Sequence, residues 1–173
     1  MLRAGLLAVV LACSVPGVAA AQAAADAAAL AVCIDEKSGP EGDLPSSGPK
    51  REKLLKQMEG GTQACLFLVR NACKEAGGDP DACTARESKA WLKAVADVKG
   101  EHLPEKNRTV WRAAGGRLQA QAIAICEATA ALSAWGAEKV TQKGRFGMGL
   151  SHPCVAEAIA QQAIIMLSQV RGN

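Results

Sequence analysis

Apolar residues along this chain recur at helical spacing in several stretches, and no stretch alternates apolar with polar residues between turn signals as a strand would. The clearest is Asp79 to Val98, DPDACTARESKAWLKAVADV. Asp79 suits an N-cap and Pro80 the first helical position. At about 100° per residue, Cys83, Ala90, Trp91, Ala94 and Val98 share one stripe, which predicts a central helix over Asp81 to Lys99. Glu87 falls inside that stripe, so its charge needs a partner or must reach the edge.

A second long helix is predicted from about Glu105 to Trp135, with a stripe of Trp111, Gly115, Leu118, Ala122, Ile125 and Thr129. Gly115-Gly116 weakens it by about 1 kcal/mol per glycine relative to alanine, which predicts a kink or a close approach there. The short link Gly100 to Pro104 makes these two helices antiparallel neighbours. Folding about the link sets Trp91 within a turn of Trp111, so the two rings should pack together. It also brings Cys83 within about a turn of Cys126.

Upstream, Gln22 to Glu36 is an Ala-rich segment read as a short helix tied at its end by Cys33, with a first half free to be disordered. Lys37 to Pro49 is a Pro- and Gly-rich loop. Lys50 to Ala76 is helical in pattern with a break at Gly60-Gly61, and Gly77-Gly78 ends it. Cys65 and Cys73 stand about 12 Å apart along one unbroken helix, too far to bond to each other. Downstream, Gly136 to Ser151 is a loop. Pro153 opens the last helix, whose core face is Val155, Ile159, Met166 and Val170, widened by Ile164, Ile165 and Leu167. The fold predicted is all-α: a small disulfide-stapled bundle over residues 50–173 with an antiparallel helix hairpin at its centre, preceded by the helix and loop of residues 22–49.

Composition changes this picture in two ways. Hydrophobic residues make up 49% of the 173, yet aromatics are only 3% and there is no Tyr. The core must be built from Ala, Leu, Val and Ile, and such thin side chains let helices approach closely. Residues 1–21 read as a secretory signal: Arg3, an apolar run from Ala4 to Val15, a Pro16-Gly17 break, and small residues up to cleavage after Ala21. The run is too short to span a bilayer. A rival reading takes Val10-Leu11-Ala12-Cys13 as a lipobox, giving an outer-membrane lipoprotein with a lipid anchor at Cys13. The early position of that cysteine and the apolar run beyond it favour cleavage instead, and a periplasmic destination.

Removing the leader takes the net charge from +3 to +2 and leaves six cysteines: Cys33, Cys65, Cys73, Cys83, Cys126 and Cys154. An even set in an exported chain implies disulfides, each worth about 2–4 kcal/mol. The favoured pairings join Cys83 or Cys73 to Cys126 or Cys154, with Cys33–Cys65 as the third bond. A charge so near balance supplies no basic field for nucleic acid and no polybasic membrane patch.

Candidate chemistry is sparse. No Cys-x2-Cys pair exists and there are two histidines, His102 and His152, which argues against a metal site and implies no cofactor. Both occupy ordinary solvated positions, a helix connection and a cap. Glu87, Glu127 and Glu157 have no spacing that demands a carboxylate pair, and no enzyme activity is expected. The GRFGMG run from Gly144 to Gly149 lacks the strand and the Lys-Ser ending of a phosphate loop. It reads first as a flexible loop; the alternative is a binding loop, with Arg145, Phe146 and Met148, and His152 following, on a Gly-hinged segment.

Cys83-x3-Glu87-x3-Trp91 is followed by a helix with an internal Cys126, a Gly-bearing loop, and Cys154 opening a final helix. This resembles the LprI-type lysozyme inhibitor family over roughly Cys73 to Val170. The closest pieces are CTARESKAW, the Cys126 helix and the run Gly144 to Cys154 with VAEAIAQQ following. Where that family shows Asp and then Leu-Asn after the Trp, this chain has Leu92 and Val95-Ala96. Where it shows Arg-Asp before the helical Cys, this chain has Ala122-Ile123, which leaves Arg112 or Arg117 to pair with Glu87. The resemblance implies an exported inhibitor that binds a lysozyme stoichiometrically and protects peptidoglycan by blocking the cleft; if the 144–149 run is a binding loop, its Arg145 is suited to meet the two catalytic carboxylates there. The alternative is a periplasmic structural or assembly module that binds no lysozyme.

Overall fold

A computed structural model describes residues 16–39, 45, 47–98, 103, 105–133 and 148–171. The start of the leader with Cys13, His102, and the loop residues Arg145 and Phe146 lie outside the described residues. Among those described there are six helices and no strand: α1 (Pro16–Lys37), α2 (Pro49–Gln63), α3 (Leu68–Glu75), α4 (Pro80–Ala96), α5 (Glu105–Ser133) and α6 (Pro153–Arg171). The architecture is an all-α bundle stapled by disulfides. No described helix is long and apolar enough to cross a membrane.

Helix α4 is the hub, packing on α1, α3, α5 and α6. Its start follows the expected chemistry: the Asp79 side chain accepts from Ala82 N–H at 2.9 Å, with Pro80 in the first turn. The buried face is Cys83, Thr84, Glu87, Ser88, Ala90, Trp91 and Val95, whereas Ala94 and Val98 are half-buried. Its most extensive neighbours are α6 and α1 rather than α5, so the helix hairpin α4–α5 is a lesser contact than the link alone suggested. The reason lies in α6, which buries Val155, Ala156, Ile159, Ala160, Ala163, Ile164 and Leu167. Three alanines on that face let its axis come close to α4 and α5. Met166 is half-buried and packs against the core from its edge, whereas Ile165 is exposed and lies off the core face.

The helix expected over residues 22–36 is present as part of α1, and it includes the first half that the sequence left free to be disordered. It buries Asp26, Ala27, Leu30 and Ile34, and Leu30 and Ile34 belong to the one core. Burying each such aliphatic side chain contributes about 1.5–3 kcal/mol. On α5 the buried positions are Leu118, Ala122 and Cys126. Ile125 and Thr129 face out, because the stripe turns with the helix toward Cys126 and α6. The Gly115 backbone passes close to α4: a Cβ there would lie 3.2 Å from Val95 Cγ1. Close approach is thus the use of this glycine. Trp111 is half-buried beside it and donates its indole N–H to Val95 O at 3.1 Å.

The predicted break at Gly60-Gly61 does not occur. Helix α2 runs through both residues and ends at Gln63. Gly61 instead lies against the last turn of α1, where a Cβ would overlap the Lys37 carbonyl oxygen. The chain turns later, over residues 64–67, and Phe67 is the one described non-glycine residue with positive φ, at 67°.

The disulfides are Cys33–Cys65, Cys73–Cys83 and Cys126–Cys154. The first is as expected. The expected cross-pairing of Cys73 or Cys83 with Cys126 or Cys154 does not form; Cys73 bonds to Cys83 and Cys126 to Cys154, each pair within its own hairpin. Gly77, at φ 80°, ends α3 in a Schellman turn: Gly78 N–H donates to Cys73 O and Gly77 N–H to Lys74 O. That turn reverses the chain within four residues and sets the last turn of α3 against the first turn of α4, with Cys73 and Cys83 Cα atoms 5.4 Å apart. Gly78 carries no Cβ because both sulfurs occupy the space.

Candidate functional site

Glu87 is 1% exposed, so the question posed by its sequence position is acute. Its partner is not an arginine. One carboxylate oxygen accepts from Trp91 Nε1 at 2.7 Å and from Phe67 N–H at 3.1 Å, and the other accepts from Arg70 N–H at 2.9 Å. Phe67 is the N-cap residue of α3 and offers no side-chain acceptor for the free N–H groups of that helix. Glu87 supplies the missing cap from α4, where the partial positive charge of a helix start also favours an anion. Arg112 and Arg117, the partners expected from the sequence, are exposed on α5.

This cap holds an unusual turn. The left-handed backbone at Phe67 costs about 1–3 kcal/mol for a bulky side chain, and it persists only because its surroundings over-determine it. Cys65, fully buried, pins the same turn to α1 through Cys33. With both backbones fixed, the Arg70 guanidinium lies over the Phe67 ring, 4.0 Å from its centroid. Arg70 Nε is buried without a hydrogen-bond partner. Phe67 and Arg70 were not singled out by sequence reasoning. The only signal available was the apolar TQACLFLVR run, which reads as continuous helix.

A second polar anchor lies where α1 crosses α4. Arg86 donates from Nε and Nη2 to the two oxygens of Asp26, at 2.8 and 2.6 Å, and Gln22 donates to the same carboxylate at 2.9 Å. Burial pushes the Asp26 carboxyl upward, but these hydrogen bonds and the guanidinium charge outweigh it and hold its pKa below the ordinary range.

Of the residues proposed for binding, Met148 is half-buried against the core. His152 is half-buried at the start of α6: its N–H donates to Gly149 O and its C=O accepts from Ala156 N–H. Its Nδ1 is buried and makes no hydrogen bond. Buried Ser88 donates to Leu150 O at 2.7 Å and ties the entry to α6 down onto α4. Glu127 is half-buried and Glu157 exposed. Among the described residues no group of three or more His, Cys, Asp or Glu could hold a metal ion. Trp91 is fully buried, and Trp111 packs at the edge of the same core.

Compared with known proteins, the chain matches no family model, no curated protein and no solved structure.

Proposed function

We propose that the protein is an exported, oxidised helical module that acts by binding another protein, and that by resemblance its target is a lysozyme. The observation that carries this reading is the Cys126–Cys154 bond, whose Cα atoms stand 6.0 Å apart across a sequence separation of 28. It closes a ring containing the Arg145-Phe146-Met148 sequence, and the far end of that ring is fastened by the Ser88–Leu150 hydrogen bond. A segment closed at both ends loses less entropy on binding than a free one, which favours tight association. Three disulfides accord with maturation in an oxidising compartment, and the leader-like residues 1–21 with delivery to the periplasm.

On this reading the protein performs no chemistry. It occupies the lysozyme cleft, a cationic side chain meets the paired carboxylates that would protonate and attack the glycan, and lysis stops. The test is to mix the oxidised protein with several lysozyme classes and follow cell-wall lysis. Loss of lysis at near-equimolar protein is expected for at least one class. No effect on any class would overturn the lysozyme assignment and favour the periplasmic assembly module. If inhibition is seen, Arg145→Ala with Phe146→Ala should weaken it, and unchanged potency would clear that loop of the role.

A further inference from the structure

We propose that the stacked pair Phe67–Arg70, with Leu68 beside it, is a docking surface for a carboxylate side chain set among apolar neighbours on a partner protein. The surface is separate from the Arg145 loop and does not depend on the lysozyme reading. Four observations lead to it. Among the described residues Arg70 makes no ion pair and its guanidinium stacks on Phe67, whereas Arg86 is paired with Asp26. Its Nε is buried without an acceptor, so the guanidinium is under-hydrated and gains more than a free arginine from an anion meeting its terminal N–H groups. The apolar flank is in place: Leu68 is 37% exposed at the first position of α3, and Phe67 is only half-buried. Finally, the pair is preorganised, because the same buried carboxylate of Glu87 holds the backbone N–H of both Phe67 and Arg70.

The backbone conformation adds weight. Glycine adopts φ near +67° without strain, whereas phenylalanine does not. The chain places an aromatic ring at a position where its backbone is costly, and then presents that ring under a cation at the surface. A rigid aromatic paired with arginine, ordered before the partner arrives, is the composition of an interface anchor. The planar guanidinium fork selects a carboxylate, and Phe67 with Leu68 selects apolar neighbours around it.

The probe is a capped Leu-Glu-Leu peptide, with capped Leu-Gln-Leu as its control, titrated into the oxidised, isotope-labelled protein and read by NMR at Arg70 Nε–H and the Phe67 ring. Saturable shifts at both sites are expected with the glutamate peptide, with a dissociation constant on the order of 1 mM. Arg70→Gln should weaken binding about tenfold or more, and so should Phe67→Gly, which keeps the left-handed turn while removing the ring. Neither substitution removes the backbone N–H groups that Glu87 holds, and protection of those amides against hydrogen exchange checks that each variant keeps the fold. Absence of saturation, equal shifts with the glutamine peptide, or shifts located elsewhere would each overturn the proposal. Failure of this titration leaves lysozyme inhibition standing, and failure of the inhibition assay leaves the titration interpretable.

Discussion

Replacing Glu87 with glutamine removes one acceptor and changes no volume, so its consequence follows from the three hydrogen bonds alone. A glutamine in this site has one oxygen and one NH2 group. With the oxygen placed toward Phe67 and Trp91 it keeps two bonds, and the NH2 group then faces the Arg70 N–H, donor against donor. The flipped amide keeps only the Arg70 bond and orphans two donors, one of them the buried indole, so the first orientation wins. The variant therefore leaves one largely desolvated N–H unsatisfied and exchanges charge-assisted for neutral bonds, a loss of about 2 kcal/mol, within a range of about 1–3. At about 2–4 °C per kcal/mol for a chain of this size, the melting temperature falls by about 4–8 °C. Urea unfolding of oxidised Glu87→Gln gives the free energy, and amide hydrogen exchange tests the mechanism. Protection of Arg70 N–H should drop while that of Phe67 N–H is largely kept. A variant within about 0.5 kcal/mol of the parent, or equal loss of protection at both amides, would refute the assignment of Glu87 as the cap of α3.

Two further outcomes follow from particular contacts. Asp26→Asn should cost about 1–2 kcal/mol at pH 7, because it breaks the two-pronged Arg86 pairing. The folded pKa of Asp26 lies below its unfolded value of about 4, so the stabilisation is present above that value and is lost as the pH falls through the folded pKa. Urea titrations should therefore show parent and variant converging as the pH drops below about 4, and a constant gap would contradict the linkage. At adjacent positions in α2, Gly60→Ala meets open space and should stabilise by up to about 1 kcal/mol, while Gly61→Ala forces α1 and α2 apart at the Lys37 carbonyl and should destabilise by about 2 kcal/mol or more. Thermal melts of the pair check this, and similar effects at the two glycines would rule out close contact at Gly61.

The helix class, the Asp79 cap and the burial of Trp91 are legible in the chain, because each depends on local chemistry or on the helical repeat. Val155 and Ile159 fall on the predicted core face for the same reason. Ile125, Thr129 and Ile165 do not, since a stripe marks a helix's apolar side but not how far its neighbours cover it. The glycines show the same limit: Gly60-Gly61 reads as a break and Gly115-Gly116 as a kink or a close approach, and only the neighbouring backbone of Lys37 and the side chain of Val95 decide each case.

By itself, then, the sequence determined an alanine-rich all-α chain with six cysteines after its leader-like start, and one carboxylate set in an apolar stripe. What it left open was who meets whom across long separations. Cys33 meets Cys65, Glu87 reaches back to the start of α3, and Arg86 finds Asp26 on α1. Helical periodicity is a property of residues a few positions apart, whereas these pairings depend on the angle at which finished helices pack, which no local pattern encodes.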